Sequence, residues 1–263
     1  MVAEKATSLR RGLGILLELE RREASDGTGL GVTQLAVALG YDKSQISRSL
    51  RVLHDEGFVV RDPKTLAYRL GWRILTMAGR SASGRLVAAA EPVLARLTRE
   101  LGERAHLSVL QGSEVLTVLS EAPDRAVLTA GWVGRAVPSH SSSAGRALLL
   151  DHEPDELAAL LGTRPFPVGT ARAPRNVDEL YERIVVARRK GYAIVDEEFE
   201  AGLVAAAAPV RDFAGRIVAA VNVSAPKFRF ADRLEAAGEK LESDSDSESG
   251  VAADDPIPEE IAA

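Results

Sequence analysis

Cysteine is absent from this 263-residue chain, and aromatic residues make up only 5% of it. Without cysteine the chain can form no disulfide framework, no thiolate nucleophile and no cysteine-ligated zinc or iron–sulfur site. It also lacks an apolar run of the about 18 residues that span a bilayer, and its N-terminus carries acidic and basic residues before any apolar segment. We therefore expect a cytoplasmic protein that does not associate with membranes.

The sequence motifs of common enzymes are missing as well. No serine lies in a G-x-S-x-G elbow, and none of the four scattered histidines belongs to an H-E-x-x-H pair. The glycine-rich segment 27–31 continues into neither a P-loop nor a dinucleotide fingerprint. His140, which precedes three serines, leaves general-base catalysis as an alternative, although a histidine at a helix entry is more often structural. We expect no catalytic residue, no metal and no cofactor.

The net charge of −5 is unevenly distributed along the chain. Residues 1–84 hold 13 Lys and Arg against 9 Asp and Glu, residues 85–230 hold 18 against 18, and residues 231–263 hold 2 against 11. The regional charges are therefore +4, 0 and −9, so the acidic C-terminal segment accounts for the negative total. The net charge consequently does not argue against DNA binding by the basic N-terminal region.

Helical spacing of apolar residues predicts three helices at the N-terminus. The first begins at Ser8, a candidate N-cap, and ends before the glycine-rich loop 24–31. The second runs from a Thr33 cap to Gly40, and the third follows Asp42. In the third helix the apolar positions i, i+4 and i+7 leave one polar, basic face free; these positions are Ile46, Leu50 and Leu53.

A β-hairpin is predicted after the third helix, and an α+β domain after that. The hairpin strands are 58–61 and 66–70, and the helical segments 72–78 and 86–101 follow as connectors. Beyond residue 103, short β-rich runs alternate with helices and predict a mainly antiparallel sheet. The predicted strands are 106–110, 115–119, 126–129, 194–195, 205–210 and 217–224, and the predicted helices are 144–150, 155–161 and 177–190. Residues from 243 onward are rich in acid and serine and are expected to be disordered.

A short helix, a tight turn, a helix with a free polar face and a hairpin form the winged helix-turn-helix pattern. Arg, Lys and Gln side chains can hydrogen-bond to base edges, with Arg and Gln best suited to guanine and adenine, while Ser donates to phosphates or bases. The alternative is that the basic face is merely solvated. The candidate DNA contacts are Arg10, Arg11, Lys43, Ser44, Gln45, Ser47, Arg48, Arg51, Arg61 and Lys64.

Both halves of the chain resemble the IclR-type transcriptional regulators. In the N-terminal half the resemblance is carried by SLRRGLGILLELE, by VTQLAVALGYDKSQISRSLRVLHDEGFVVRDP and by YRLG. In the C-terminal half it is carried by HLSVLQGSEVLTV, VGRAVPSHSSSAGRALL, ARRKGYAIVDEEFEAGL and AAPVRDFAGRIVAAVNVSAP, in that order. The resemblance implies a winged helix-turn-helix domain (1–70), connector helices (71–102), a GAF-like effector domain (103–242) and an acidic tail (243–263). It also implies a dimer or tetramer on palindromic double-stranded operators, controlled by a small-molecule, often carboxylate, effector.

Serines and backbone N–H groups converge just before the helix at 147–150, which is a pattern typical of anion binding. The alternative is that one serine only caps the helix. The resemblance implies the effector contacts Ser142, Ser143, Ala144, Asp196, Ala205, Asn222 and Ser224. Ala205 stands where many members of the family have cysteine, and the acidic run 196–198 has the alternative of being a solvated charge cluster. The final helix is expected to end near Leu241.

Two functions remain open on the sequence alone. One is a ligand-controlled transcriptional regulator. The other is a small-molecule sensor or enzyme that retains a vestigial DNA-binding head. The acidic tail either limits non-specific DNA contact or serves only solubility.

Overall fold

The computed structural model describes residues 2–123, 132–166 and 169–248. Contacts divide the chain into two compact units, residues 1–84 and 85–263. The division falls inside the predicted connector, 71–102. The predicted strand 126–129 and the tail from residue 249 lie outside the described residues.

The N-terminal unit contains four helices and a two-stranded antiparallel hairpin. Its fully buried side chains come from each of the first three helices and from the first strand, so one small apolar core holds the unit together. The elements are α1 (Val2–Asp26), α2 (Val32–Leu39), α3 (Lys43–Asp55), β1 (Val59–Arg61), β2 (Tyr68–Leu70) and α4 (Trp72–Arg80).

The helix starts of this unit differ from the sequence prediction. Helix α1 begins six residues before Ser8 and continues through Asp26, so Ser8 is not its cap. Gly31, not Thr33, is the N-cap of α2, and the Gln34 side chain accepts a hydrogen bond from the Gly31 N–H at 2.8 Å. The α2 end is as predicted: Gly40 adopts the left-handed conformation, φ 69°.

The C-terminal unit is built on a six-stranded sheet with helices on both faces. All pairings are antiparallel, in the spatial order β5-β4-β3-β8-β7-β6, which confirms the expected α+β class. The elements are α5 (Ala82–Leu101), β3 (Arg104–Gln111), β4 (Glu114–Glu121), β5 (Ala136–Pro138), α6 (Ser143–Leu148), α7 (Pro154–Leu161), α8 (Val177–Lys190), β6 (Ala193–Asp196), β7 (Leu203–Arg211), β8 (Ile217–Pro226), α9 (Lys227–Phe230) and α10 (Leu234–Glu248).

Alternation along the central strands creates two different sheet faces. On one face Leu107 and Val221 pack in a core with α5 and α10. On the other face Ala207 of β7 and Ala220 of β8 pack in a second core with α6, α7 and α8, and Ser108 and Asn222 are buried polar residues on the same face. Because a purely structural core is mostly apolar, these polar residues indicate a candidate site on this face.

The last helix extends further than the sequence suggested. Helix α10 runs to Glu248 instead of ending near Leu241, so residues 243–248 of the predicted disordered tail are helical. Leu234, Ala237 and Leu241 anchor this helix in the core. Within the described residues, no helix combines the length and the apolar character needed to cross a membrane.

Candidate functional site

Helix α3 presents a polar, basic surface to solvent. Ile46 and Leu50 are fully buried on its inner side. At 3.6 residues per turn, five of the six predicted contact residues fall within an arc of about 140° on the outer side. These five are exposed, and Gln45 is half-buried at the rim of the arc; the exposed residues are Lys43, Ser44, Ser47, Arg48 and Arg51.

Arg11 fixes α3 against α1. Its Nε donates to Ser49 Oγ at 2.9 Å, and its guanidinium lies over the Tyr41 ring at 5.5 Å from the centroid. The sequence predicted a phosphate contact for Arg11, but the structure gives this half-buried side chain a linking position between helices. Arg10, on the neighbouring position, is exposed.

The hairpin turn is held by a carboxylate cap. Asp62 Oδ1 accepts hydrogen bonds from the backbone N–H groups of Thr65 and Lys64, both at 2.8 Å. These bonds hold the pKa of Asp62 below its usual value. The turn thereby places Arg61 and Lys64 in exposed positions. Arg69 on β2 is also exposed and was missed by the sequence analysis, although alternation along the returning strand would have indicated it.

A cavity of about 550 Å³, including its open mouth, lies on the polar face of the large sheet. Its lining comes from the sheet, from the start of α6 and from the segment after β6. The lining residues are His106, Ser108, Val115, Thr117, Trp132, Val137, Ser142, Ser143, Ala144, Val195, Phe199, Leu203, Val204, Ala205, Asn222 and Ser224. No lysine, arginine, aspartate or glutamate of the described residues lines it. The described part of the lining therefore offers a ligand apolar contacts and neutral hydrogen-bonding groups.

Six of the seven predicted effector contacts surround this cavity; only Asp196 does not. The Asp196 carboxylate pairs instead with Lys227 at 2.7 Å and with Arg172 at 3.1 Å. Hydrogen bonds from Lys227 to Asp196 and to Glu197 raise the pKa of the lysine above its usual value. Asp196 thus belongs to a surface ion-pair cluster at the end of β6, which the sequence pattern did not distinguish from a ligand contact.

Glu198, the last member of the same acidic run, is buried, whereas Asp196 lies in the surface ion-pair cluster. The Glu198 Oε2 lies 2.5 Å from Arg146 Nη2 and 2.5 Å from Arg183 Nη1. Arg146 is only 4% exposed, and its Nη1 donates to the Ile194 carbonyl at 2.6 Å. The pair ties α6, which brings Ser143 and Ala144 to the cavity, to the segment that contributes Phe199.

The serines before α6 have separate roles. Ser142 is the N-cap, and its Oγ accepts a hydrogen bond from the Gly145 N–H at 3.1 Å. Ser142 and Ser143 line the cavity, whereas Ser141 is fully buried in a preceding 3-10 turn and does not. His140 is buried and stacks on Phe166 with ring centroids 4.4 Å apart, which favours the structural interpretation of this histidine.

Four neutral side chains form a ladder across the central strands of the cavity floor. Ser108 Oγ donates to Asn222 Oδ1 at 3.3 Å, and His106 Nε2 lies 3.3 Å from Ser224 Oγ. Burial, together with the charge of Arg104, lowers the pKa of His106 to about 4, so its ring is neutral at pH 7. His106 and Ser108 were not predicted from the sequence, because only the pairing of β3 with the distant β8 places them beside Asn222. Across residues 2–123, 132–166 and 169–248, no group of three or more histidines and carboxylates is arranged to hold a metal ion.

Comparison with known proteins gives matches over both units. The model of the IclR helix-turn-helix domain matches residues 8–63, and the model described as bacterial transcriptional regulator IclR C-terminal matches residues 81–247. Among curated proteins, the chain is 30% identical to the Pca regulon regulatory protein of Pseudomonas putida over 220 residues, which are 83% of this chain and 74% of the relative. It is 28% identical to the transcriptional repressor AllR of Escherichia coli over 241 residues, covering 90% and 88% of the two chains.

Solved structures share the fold over almost the whole chain. One is an IclR homologue from Microbacterium hydrocarbonoxydans, described as complexed with 4-hydroxybenzoate. It superposes with a TM-score of 0.77 at 24% identity and covers 93% of this chain and 98% of its own. At this identity the likeness concerns the fold, and the ligand is a property of that homologue.

Proposed function

This chain belongs to the IclR family of transcriptional regulators, and from that premise we propose that it reads operator DNA with the outer face of α3. Its relatives are regulators and not enzymes, which removes the alternative of an enzyme with a vestigial DNA-binding head. The partners of such a protein are DNA and a small-molecule effector, and the proposal places it in the cytoplasm with the chromosome.

One observation supports the proposed DNA contacts above all others. Five polar or basic side chains of α3 are exposed along a single arc and Gln45 lies half-buried beside it, while Ile46 and Leu50 anchor the helix in the core. An α-helix presented in this way fits the major groove, where Arg and Gln discriminate guanine and adenine. Lys64 and Arg61 on the hairpin then lie where phosphate contacts are made in winged domains, and Arg10 is a further phosphate contact.

The experiment is a fluorescence anisotropy titration of the full chain on DNA from its own upstream region. The double variant Gln45→Ala/Arg48→Ala should lose about 2–6 kcal/mol of sequence-specific binding, since each base contact contributes roughly 1–3 kcal/mol. Arg21→Ala is the matched control, because Arg21 is an exposed cation of the same unit paired with Glu18 on α1. Unchanged specific binding in the double variant, with the control also unchanged, would show that another surface reads the operator.

Self-association is the second part of the proposal. Leu9, Leu13 and Leu17 lie one helical turn apart on α1 and are 52–66% exposed, which is an unusual apolar stripe for an isolated domain. We expect this stripe to be covered by a second copy, giving a dimer, or a dimer of dimers, that binds two half-sites of a palindrome. Sedimentation of Leu13→Glu should reveal monomers where the unaltered protein is dimeric; an unaltered dimer in this variant would place the interface elsewhere.

The cavity is the proposed effector site, and a carboxylate-bearing molecule is the proposed effector. Support comes from the donors at Ser142 and Ser143, from the apolar walls, and from the 4-hydroxybenzoate described for the Microbacterium homologue. An effector changes operator affinity only if it binds one arrangement of the protein better than another. Adding small carboxylates to the anisotropy assay should shift the midpoint of operator binding. A ligand that binds the protein without any shift would contradict regulation through this cavity.

A further inference from the structure

The ladder on the cavity floor consists only of neutral hydrogen-bonding groups. It comprises His106, Ser108 and Asn222, which are at most 8% exposed, and the half-buried Ser224. Such groups are costly to bury unless their hydrogen bonds are completed. The hydrogen bonds that remain open on the ladder are therefore candidates for contacts with a ligand.

Two of the four ladder residues have hydrogen-bonding capacity that no described residue uses. His106 is 3% exposed, and its Nδ1 has no hydrogen-bond partner in the part of the chain that the structure describes. Asn222 accepts through Oδ1, which leaves the two Nδ2 protons available for donation. The ladder therefore offers a donor at Asn222 and a ring nitrogen at His106, whose donor or acceptor role depends on the tautomer.

The same end of the cavity is poorly suited to a charged group. His106 is neutral at pH 7, and no basic side chain among the described residues lines the cavity. A carboxylate placed on the ladder would lose its hydration and would meet no cation in the described lining. Arg104, whose charge acts on His106, lies outside that lining, and its Nη1 donates to Ser120 Oγ at 3.4 Å. A hydroxyl group, in contrast, both donates and accepts, so it completes the ladder with either tautomer of His106.

We infer that the ladder is a hydroxyl-recognition subsite, and that the effector is an acid carrying an alcohol or phenol group away from its carboxylate. This inference rests on the proposed effector site. The hydroxyl lies between His106 and Asn222, and the ring or chain of the ligand lies against Trp132 and Phe199, which form apolar parts of the wall.

The test uses the full-length protein and matched acids in calorimetric titrations. The pairs are 4-hydroxybenzoate with benzoate and 4-hydroxybutyrate with butyrate. Levulinate, a keto acid of similar length, tests a carbonyl in place of the hydroxyl. The hydroxy acid of at least one pair should bind roughly tenfold more tightly than its deoxy partner, since one buried neutral hydrogen-bond group is at stake. His106→Phe keeps a ring of similar size and should abolish this preference, whereas His106→Asn restores a hydrogen-bonding group near Nδ1 and should restore part of it.

Three outcomes would overturn the inference: no hydroxyl preference in any pair, a preference for the ketone, or a preference that survives His106→Phe in a variant with an unaltered circular dichroism spectrum. Failure of the proposed function is separate, because it is measured by operator binding. Deoxy acids that bind and shift operator affinity as well as hydroxy acids would leave regulation intact and remove only the hydroxyl subsite. If no acid of any pair binds, the subsite is rejected, and the operator titration alone decides the proposed function.

Discussion

Replacing Glu198 with glutamine should destabilise the C-terminal unit by about 3 kcal/mol or more. Arg146 is 4% exposed, and burial lowers the pKa of its guanidinium while Glu198 opposes that shift. Two unit charges about 4 Å apart at an effective dielectric constant of about 20 attract by about 4 kcal/mol. A neutral hydrogen bond to the glutamine side chain would retain about 1 kcal/mol of this stabilisation. The remainder agrees with the roughly 3–5 kcal/mol typical of a broken buried ion pair.

Urea unfolding of the Trp72→Phe background is the appropriate assay, because Trp132 then reports on the C-terminal unit alone. Asp151→Asn is the matched control: Asp151 pairs with Arg211 at 2.6 Å, but its side chain is 50% exposed, so the loss should stay below about 1 kcal/mol. A loss below about 1 kcal/mol for Glu198→Gln as well would refute the reasoning. The double variant Arg146→Met/Glu198→Leu should recover most of the lost stability, because apolar residues of similar size often replace a buried pair without cost.

Four further predictions follow from individual contacts. The pKa of His106 is about 4 in the folded protein against an ordinary 6.5, so the unfolded chain takes up this proton first and stability should fall as the pH drops from 6.5 towards 4. In unfolding titrations this loss of stability should be larger, by up to roughly 3 kcal/mol, than in His106→Phe. Equal pH profiles for the two proteins would contradict a buried neutral ring. Gly145→Ala places a Cβ 2.1 Å from the Ser139 carbonyl oxygen and should cost about 1–3 kcal/mol or more in the urea assay; an unchanged urea midpoint would contradict this close approach. Asn176→Ala removes the 2.9 Å cap bond to the Glu179 N–H and should cost about 1 kcal/mol; no change in the urea midpoint would mean that the cap is redundant. Lys64→Ala should reduce the slope of the logarithm of operator affinity against the logarithm of salt concentration by about one unit, without changing sequence preference. An unchanged slope would show that Lys64 makes no phosphate contact.

Local patterns were sufficient for most of the secondary structure. The limits of α8 match the prediction of 177–190, because the Asn176 cap and the left-handed Gly191 are both local signals. The third helix and its outward polar face were also predictable, since Ile46 and Leu50 recur at helical spacing. The start of α1 was not, because residues 2–7 carry no strong apolar period, and the short β5 was missed because only its pairing with β4 makes it a strand.

The predicted effector contacts also include some that the structure places at the cavity and one that it does not. Ser142, Ser143, Ala144, Ala205, Asn222 and Ser224 were expected from the resemblance, and all of them line it. Asp196 was expected on equal grounds, yet its carboxylate is engaged by Lys227 and Arg172, which approach it from distant parts of the chain.

By itself the sequence determined the two-part organisation, the family and the exposed face of α3, because these depend on periodicity and on runs of neighbouring residues. Only the tertiary structure decided which polar residues share one site. The pairing of β3 with β8 brings His106 opposite Asn222 across more than a hundred residues, and burial of Glu198 against Arg146 distinguishes it from its exposed neighbour Asp196. Burial and long-range pairing follow from how whole elements pack, and no local pattern of residues contains that information.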